Sequence, residues 1–166
     1  IVGVSAWTVR PEAARRDKPK VSAFTTARYD KILALEPDLV LAFSDIQADI
    51  ARDLIKEGVT VLTLNHRSVS EILDMILMVG SMVGAQEKAE ALIAELTAGL
   101  QTFRAGAPAV RPVVYFEEWD EPLISGIQWV SELIEIAGGE EAFPERAVSS
   151  LAKGRIIADP SEVIRR

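Results

Sequence analysis

The long proline-free stretch over residues 70–105 constrains the fold of this chain more than any other feature of the sequence. Its apolar residues recur at spacings of three and four, which is the period of one face of an α-helix, except for a gap between Val83 and Ile93 that Ala89 fills in part. They are Ile72, Ile76, Val79, Val83, Ile93, Leu96, Leu100 and Phe103. The spacing predicts one amphipathic helix, capped by Ser70 and roughly 50 Å long at about 1.5 Å per residue. The alternative is a pair of shorter helices broken at Gly84 and Ala85.

Strand-like and helix-like segments alternate on the amino-terminal side of this stretch. A short β-branched run opens the chain at residues 1–4, and continuous apolar runs follow at residues 39–43 and 59–64. Such continuous runs are typical of strands that are covered on both faces, as in a parallel sheet. Helical patterns lie between these runs, so the order predicts βαβ units with right-handed crossovers.

A second α/β pattern follows the long stretch. Residues 112–116 are strand-like, a loop is predicted over residues 117–126, and a helix over residues 127–137. The sequence therefore predicts an α/β fold in three parts, with an amino-terminal lobe at 1–69, the long helix at 70–105 and the start of a carboxyl-terminal lobe at 106–166.

The composition excludes several classes of function. The chain has 25 acidic and 18 basic residues, a formal net charge of −7, no cysteine and one histidine, His66. A nucleic-acid-binding surface needs a basic stripe, and none is visible. Disulfides and thiolate metal sites are impossible, and a Ser-His-Asp triad could use only His66. No segment is long and apolar enough to span a bilayer. We expect a trimmed chain, because it opens without a signal sequence in what is predicted to be a strand.

The aromatic residues indicate where a ligand would bind. Ligands of open α/β sheets bind beyond the carboxyl ends of the strands, and several aromatic residues fall at predicted strand ends. The candidate ligand-binding residues are Trp7, Phe24, Phe43, Trp119 and Trp129. As a set they favour an aromatic-walled cleft for a large, partly apolar ligand, in which Trp7 and Trp119 face the same space. The alternative is that each covers an edge of the core.

Carboxylates flank Trp119 in the predicted loop. Glu117, Glu118, Asp120 and Glu121 could bind a divalent metal in a small α/β metal-dependent enzyme, or they could form a solvated acidic loop. The sequence offers no credible pair of a catalytic nucleophile and a general base to act with these carboxylates. The residues therefore favour a binding protein without catalysis, with the metal-dependent enzyme as the alternative.

Two motifs resemble a known family. Residues 32–42, ILALEPDLVLA, resemble the I-x-A-L-x-P-D-L-V-L segment of the periplasmic cobalamin- and siderophore-binding proteins of ABC importers. The segment EEWDEPLISG at residues 117–126 and the segment IAGG at residues 136–139 resemble the start of the second lobe in that family.

The resemblance implies two Rossmann-like lobes with parallel sheets joined by one long α-helix, both lobes being incomplete in this chain. It implies capture of cobalamin or a ferric siderophore, without a cofactor, and delivery to an ABC permease with its ATPase. The location implied is the periplasm, or the outer face of a membrane through a lipid anchor. A haem or bare metal-ion binder of the same fold is a third possibility, although one histidine and few tyrosines disfavour it.

The resemblance also assigns individual residues. By position, Trp7, Phe24, Phe43 and Trp119 would wall the ligand site. Asp30 falls where the family places an acidic residue that docks onto arginines of the permease. On the second lobe Ser161 occupies the matching position, so that Glu162, one place on, is the candidate docking residue.

We predict that the purified protein holds no tightly bound transition metal. Elemental analysis after purification without chelators should find far less than one zinc or iron per chain. A stoichiometric metal would contradict this and favour the enzyme, with Glu117, Glu118, Asp120 and His66 as the candidate ligands.

Overall fold

The computed structural model describes residues 1–106 and 108–166. By its internal contacts the chain divides into two compact units, Ile1–Asn65 and His66–Arg166. Each unit contains at least one parallel strand pair together with helices, so the predicted α/β class is confirmed. The predicted division at residues 69 and 105, and the interlobe role of the segment between them, stay predictions.

The first unit is built from two parallel strand pairs. Four consecutive residue pairs, from Val40–Val61 to Phe43–Leu64, align β3 with β4 without a break. The apolar runs predicted to be strands therefore form them, and α3 makes the crossover that parallel pairing requires. The elements are β1 Val4–Ser5, α1 Glu12–Asp17, β2 Lys20–Ser22, α2 Tyr29–Ala34, β3 Val40–Phe43, α3 Ala48–Lys56 and β4 Val61–Leu64.

The second unit begins with two helices and continues as a small α/β arrangement. Strand β5 pairs in parallel with β8, and β6 pairs antiparallel with β7. The elements are α4 Val69–Met82, α5 Gln86–Ala105, β5 Val113–Val114, β6 Glu117–Asp120, β7 Leu123–Ser125, α6 Gln128–Ile136, β8 Glu140–Glu141, α7 Pro144–Ala147 and α8 Ser161–Arg165. A 3-10 turn at Ala152–Arg155 precedes α8.

The apolar core of the second unit forms around Phe143. This ring is fully buried, and Tyr115 meets it edge-on with ring centroids 5.8 Å apart. Edge-to-face contact is a favoured geometry for two aromatic rings. The other members of the cluster are Ala142, Ile157, Leu123 and Val163.

The prediction of one continuous helix over residues 70–105 is wrong, because α4 ends at Met82 and α5 begins at Gln86. Gly84 has a φ of 69°, in the left-handed region that glycine adopts without penalty. Its N–H donates to the Ser81 carbonyl at 3.2 Å, and the Ala85 N–H donates to the Gly80 carbonyl at 2.7 Å. These two hydrogen bonds make a Schellman motif, which ends α4. The break falls at Gly84 and Ala85, where the alternative of two shorter helices places it.

Close packing between α4 and α5 accompanies the break. A Cβ atom built on Gly80 would clash with the Cβ of Ala89, so only glycine fits at this crossing. The second helix therefore packs against the first and does not extend it. Hydrophobic spacing alone cannot distinguish these two arrangements, because the same face is apolar in both.

The start of α4 also differs from the prediction, since Ser68 and not Ser70 is the cap. The Ser68 hydroxyl accepts a hydrogen bond from the Glu71 N–H at 3.2 Å, and the Glu71 carboxylate accepts from the Ser68 N–H at 2.9 Å. This reciprocal pair is a capping box. Backbone N–H donation from Arg67 and Ser68 lowers the pKa of Glu71, so its carboxylate is charged at neutral pH.

We predict opposite effects for two glycine substitutions on this helix pair. Gly84→Ala should lower the free energy of unfolding by about 1–2 kcal/mol, because alanine is strained at this positive φ. Gly99→Ala should raise it by up to about 1 kcal/mol, since Gly99 lies inside α5 and its new Cβ meets open space. Urea denaturation of the two variants measures the difference, and equal effects would contradict the capping role of Gly84.

Candidate functional site

The carboxyl edge of the first unit holds three of the predicted aromatic residues. Trp7 and Phe24 lie shortly beyond the parallel strands β1 and β2, and Phe43 is the last residue of β3. The Ala6 N–H donates to the Ser22 carbonyl at 2.8 Å, which keeps the ends of β1 and β2 side by side. Parallel strands end at the same edge of a sheet, so each pair delivers its loops together.

The side chain of Gln47 joins the ends of β2 and β3. Its Nε2 donates to the Phe24 carbonyl at 2.8 Å, and its Oε1 accepts from the Phe43 N–H at 2.7 Å. One amide group thus satisfies a donor and an acceptor on two segments that carry candidate aromatic residues. Sequence reasoning missed Gln47, because a glutamine after a helix cap carries no signal of a contact with Phe24, far from it in sequence.

The aromatic side chains at this edge are left open to solvent. Trp7 is 71% exposed and Phe24 is 47% exposed, whereas Phe43 is half-buried. Each large ring that remains in water forgoes the free energy that its burial would give. Exposed aromatic rings beyond strand ends are a feature of surfaces that bind an apolar partner or ligand.

In the second unit Trp119 lies on an antiparallel hairpin. The loop predicted over residues 117–126 is wrong in this respect, because β6 and β7 pair there. Trp119 is 60% exposed, and its Nε1 donates to the Glu121 carbonyl at 3.1 Å. Trp129 lies in the first turn of α6 and is also partly exposed.

A buried arginine forms an ion pair with one carboxylate of the acidic segment. The guanidinium of Arg155 pairs with both carboxylate oxygens of Glu118, and its Nη1 donates to the Ser125 carbonyl at 2.6 Å. Glu118 is therefore committed to a structural ion pair and is not free to bind a metal. Within residues 1–106 and 108–166 no group of three or more histidine, aspartate or glutamate side chains is placed to hold a metal ion.

His66, the last candidate metal ligand, lies at the start of the second unit. Partial burial and the positive charge of Arg67 lower the pKa of its imidazole, against an opposing effect of Glu71. The ring is therefore neutral at pH 7. Nothing in the described part of the chain places it in a cluster with the acidic hairpin residues.

The two predicted docking residues differ in their surroundings. The carboxylate of Asp30 is well exposed at the start of α2 and lies 3.5 Å from Nε of Arg28. Glu162 is half-buried, and its Oε2 accepts from Nη2 of Arg146 at 3.2 Å. Their docking role stays a prediction for both residues.

Two open grooves lie elsewhere on the molecule. A groove of about 620 Å³ runs along α3 and β4, past Ala51, Ile55 and Thr63. Another of about 670 Å³ lies among α4, α5 and α6, with Leu73, Leu100 and Ile136 in its wall. None of the five candidate aromatic residues lines either groove, so the grooves do not coincide with the predicted ligand site.

The helices in the described ranges are all too short or too polar to cross a bilayer.

Comparisons with known proteins identify similar sequences. A family model described as periplasmic binding protein matches residues 1–165. The uncharacterized ABC transporter substrate-binding lipoprotein YvrC of Bacillus subtilis is 32% identical over 114 residues, which cover 66% of this chain and 36% of that protein. A vitamin B12-binding protein of Vibrio cholerae is 27% identical over 154 residues, which cover 89% of this chain and 55% of that protein.

Solved structures show the same fold. The periplasmic vitamin B12 binding protein BtuF of Vibrio cholerae matches with a TM-score of 0.77 at 22% identity, covering 99% of this chain and 64% of that one. Periplasmic haem-binding proteins are also among the similar solved structures. This chain spans about half the length, or less, of the curated relatives described above.

We predict that Gln47→Glu destabilises the first unit. The substitution keeps the acceptor for the Phe43 N–H but places a carboxylate oxygen against the Phe24 carbonyl, where Nε2 now donates. The free energy of unfolding at pH 7 should fall by about 1–3 kcal/mol, the cost of an unsatisfied polar contact. Gln101→Glu on the exposed face of α5 is the control. Equal urea midpoints for the two variants would show that Gln47 does not join the two segments.

Proposed function

The chain belongs to the periplasmic binding protein family, and on that premise we propose that it is the ligand-capturing part of an ABC importer. The proposed ligand is a corrinoid or a ferric siderophore, bound without catalysis. Relatives described as vitamin B12-binding support the corrinoid, and a relative described as an ABC transporter substrate-binding lipoprotein supports the importer.

The exposure of Trp7 and Trp119 is the observation that carries the proposal. A tryptophan ring offers a large apolar area with few rotatable bonds, so that ordering it against a ligand costs little entropy. A corrinoid macrocycle is broad and needs apolar walls of this kind. We propose that both rings contact one bound ligand, together with Phe24, Phe43 and Trp129.

The proposed partners follow from the family. The ligand would pass to a membrane permease that works with an ATPase, and Asp30 and Glu162 would meet basic residues of the permease. The exposed carboxylate of Asp30 suits such a contact directly. The carboxylate of Glu162 would have to exchange Arg146 for a permease arginine. The proposed location is outside the cytoplasmic membrane, either free or held by a lipid anchor as in the lipoprotein relative.

We predict that Trp7→Ala and Trp119→Ala each weaken ligand binding. Each ring would be buried by the bound ligand. Its loss should remove about 1–3 kcal/mol of binding free energy, or raise Kd roughly 5- to 150-fold. The measurement is an absorbance titration of the full-length protein, separately with cobalamin, with a ferric siderophore and with haem. Lys88→Ala, on the exposed face of α5, is the control.

The titration separates the alternatives. If both tryptophan variants bind as the Lys88→Ala control does, the aromatic site is wrong even where the protein binds one of the ligands. If only one variant loses affinity, the site is confined to one unit. If the unaltered protein binds haem and neither of the other two ligands, the proposed ligand class is wrong.

A further inference from the structure

The strand that carries Trp119 is irregular at the preceding residue. Glu117 lies opposite Ser125, and Trp119 lies opposite Ile124, so Glu118 is an extra residue without a partner across the hairpin. An insertion of this kind is a β-bulge, which bends the strand and redirects the neighbouring side chain. The direction of Trp119 therefore depends on how Glu118 is held.

Arg155 holds both strands of the hairpin. Its side chain is 3% exposed, and its fork binds both oxygens of the Glu118 carboxylate on β6. The same guanidinium donates to the Ser125 carbonyl on β7, and the Ser125 hydroxyl donates back to the Arg155 carbonyl at 3.3 Å. One buried side chain thus bonds the bulge and the strand opposite it.

Backbone contacts reinforce this attachment. The Ile157 N–H donates to the Leu123 carbonyl at 2.8 Å, and Ile156 forms a β-bridge with Ile124. The segment around Arg155 therefore supports β7 along its length, while the Arg155 side chain reaches β6 through Glu118. Removal of this side chain would leave β7 in place and release the bulge.

We propose that Arg155 is a positioning residue that fixes the direction of Trp119 for ligand binding. The proposal rests on the proposed function, in which Trp119 contacts the ligand. Trp119 is 60% exposed, and its Nε1 donates to the Glu121 carbonyl at 3.1 Å, so the direction of the ring follows the conformation of the hairpin. The two parallel hydrogen bonds from the Arg155 guanidinium fix both the position and the orientation of the Glu118 carboxylate. The ammonium group of a lysine cannot make this bidentate pair. Holding a contact residue in its bound geometry before the ligand arrives raises affinity by reducing the ordering cost.

The first experiment needs no ligand. With Trp7→Phe and Trp129→Phe, Trp119 is the one tryptophan left to fluoresce. Arg155→Lys in this background should lower the fluorescence anisotropy of Trp119, because the ring gains rotational freedom. Arg165→Lys, in the exposed pair with Asp159, is the matched control and should leave the anisotropy unchanged. Unchanged anisotropy in a folded Arg155→Lys protein would overturn the proposal.

The second experiment is a double-mutant cycle with cobalamin as the probe. Arg155→Lys should raise Kd about tenfold when Trp119 is present and should have no further effect in a Trp119→Ala protein. A purely structural role predicts the same loss in both backgrounds, and that result would overturn the proposal. Arg165→Lys again serves as the control in both backgrounds.

The two experiments distinguish a wrong ligand from a wrong role for Arg155. If cobalamin does not bind the unaltered protein, the proposed ligand is wrong, while the anisotropy still decides whether Arg155 positions Trp119. If Arg155→Lys does not fold, Glu118→Gln replaces it, since the glutamine keeps the shape of the side chain and weakens the pair by removing its charge. The same anisotropy change and the same dependence on Trp119 are then expected, and their absence would overturn the proposal.

Discussion

Parallel pairing of neighbouring strands is the constraint on which the candidate residues of the first unit depend. Parallel strands cannot be joined by a tight turn, so a helix or a longer loop must carry the chain back to the start of the next strand. In the first unit this holds for β1 with β2 and for β3 with β4. Both strands of a pair then end at the same edge. The residues that follow the strands are placed at that edge by the topology, whatever their side chains are.

This constraint explains which parts of the site could be predicted from the sequence. The runs at residues 39–43 and 59–64 are rich in apolar and β-branched residues, so their identity as parallel strands could be inferred from composition alone. Once the strands are known, the positions of Trp7, Phe24 and Phe43 beyond or at their carboxyl ends follow from topology. The exposure of each ring does not follow in the same way, because it depends on side chains that other segments bring to the edge.

The parts that could not be predicted depend on contacts between distant residues. The periodicity of residues 70–105 continues through Gly84, but the Schellman motif and the close approach of Gly80 to Ala89 favour two packed helices. The segment Glu117–Asp120 is polar and has the composition of a loop. In the structure it pairs as a strand with β7, and Arg155, distant in sequence, compensates the charge of Glu118 and bonds the opposite strand.

Under the proposed function, Gln47 and Arg155 would have the same role in the two units. An aromatic ring that must stay open for a ligand cannot be oriented by packing its own faces, because packing would cover them. A directional hydrogen bond to the backbone or to the neighbouring residue orients the segment without covering the faces of the ring. Gln47 acts in this way on the backbone of Phe24 and Phe43, and Arg155 acts on Glu118, next to Trp119. At the acidic hairpin the carboxylate of Glu118 is thereby engaged in holding the chain, which disfavours its use as a metal ligand there.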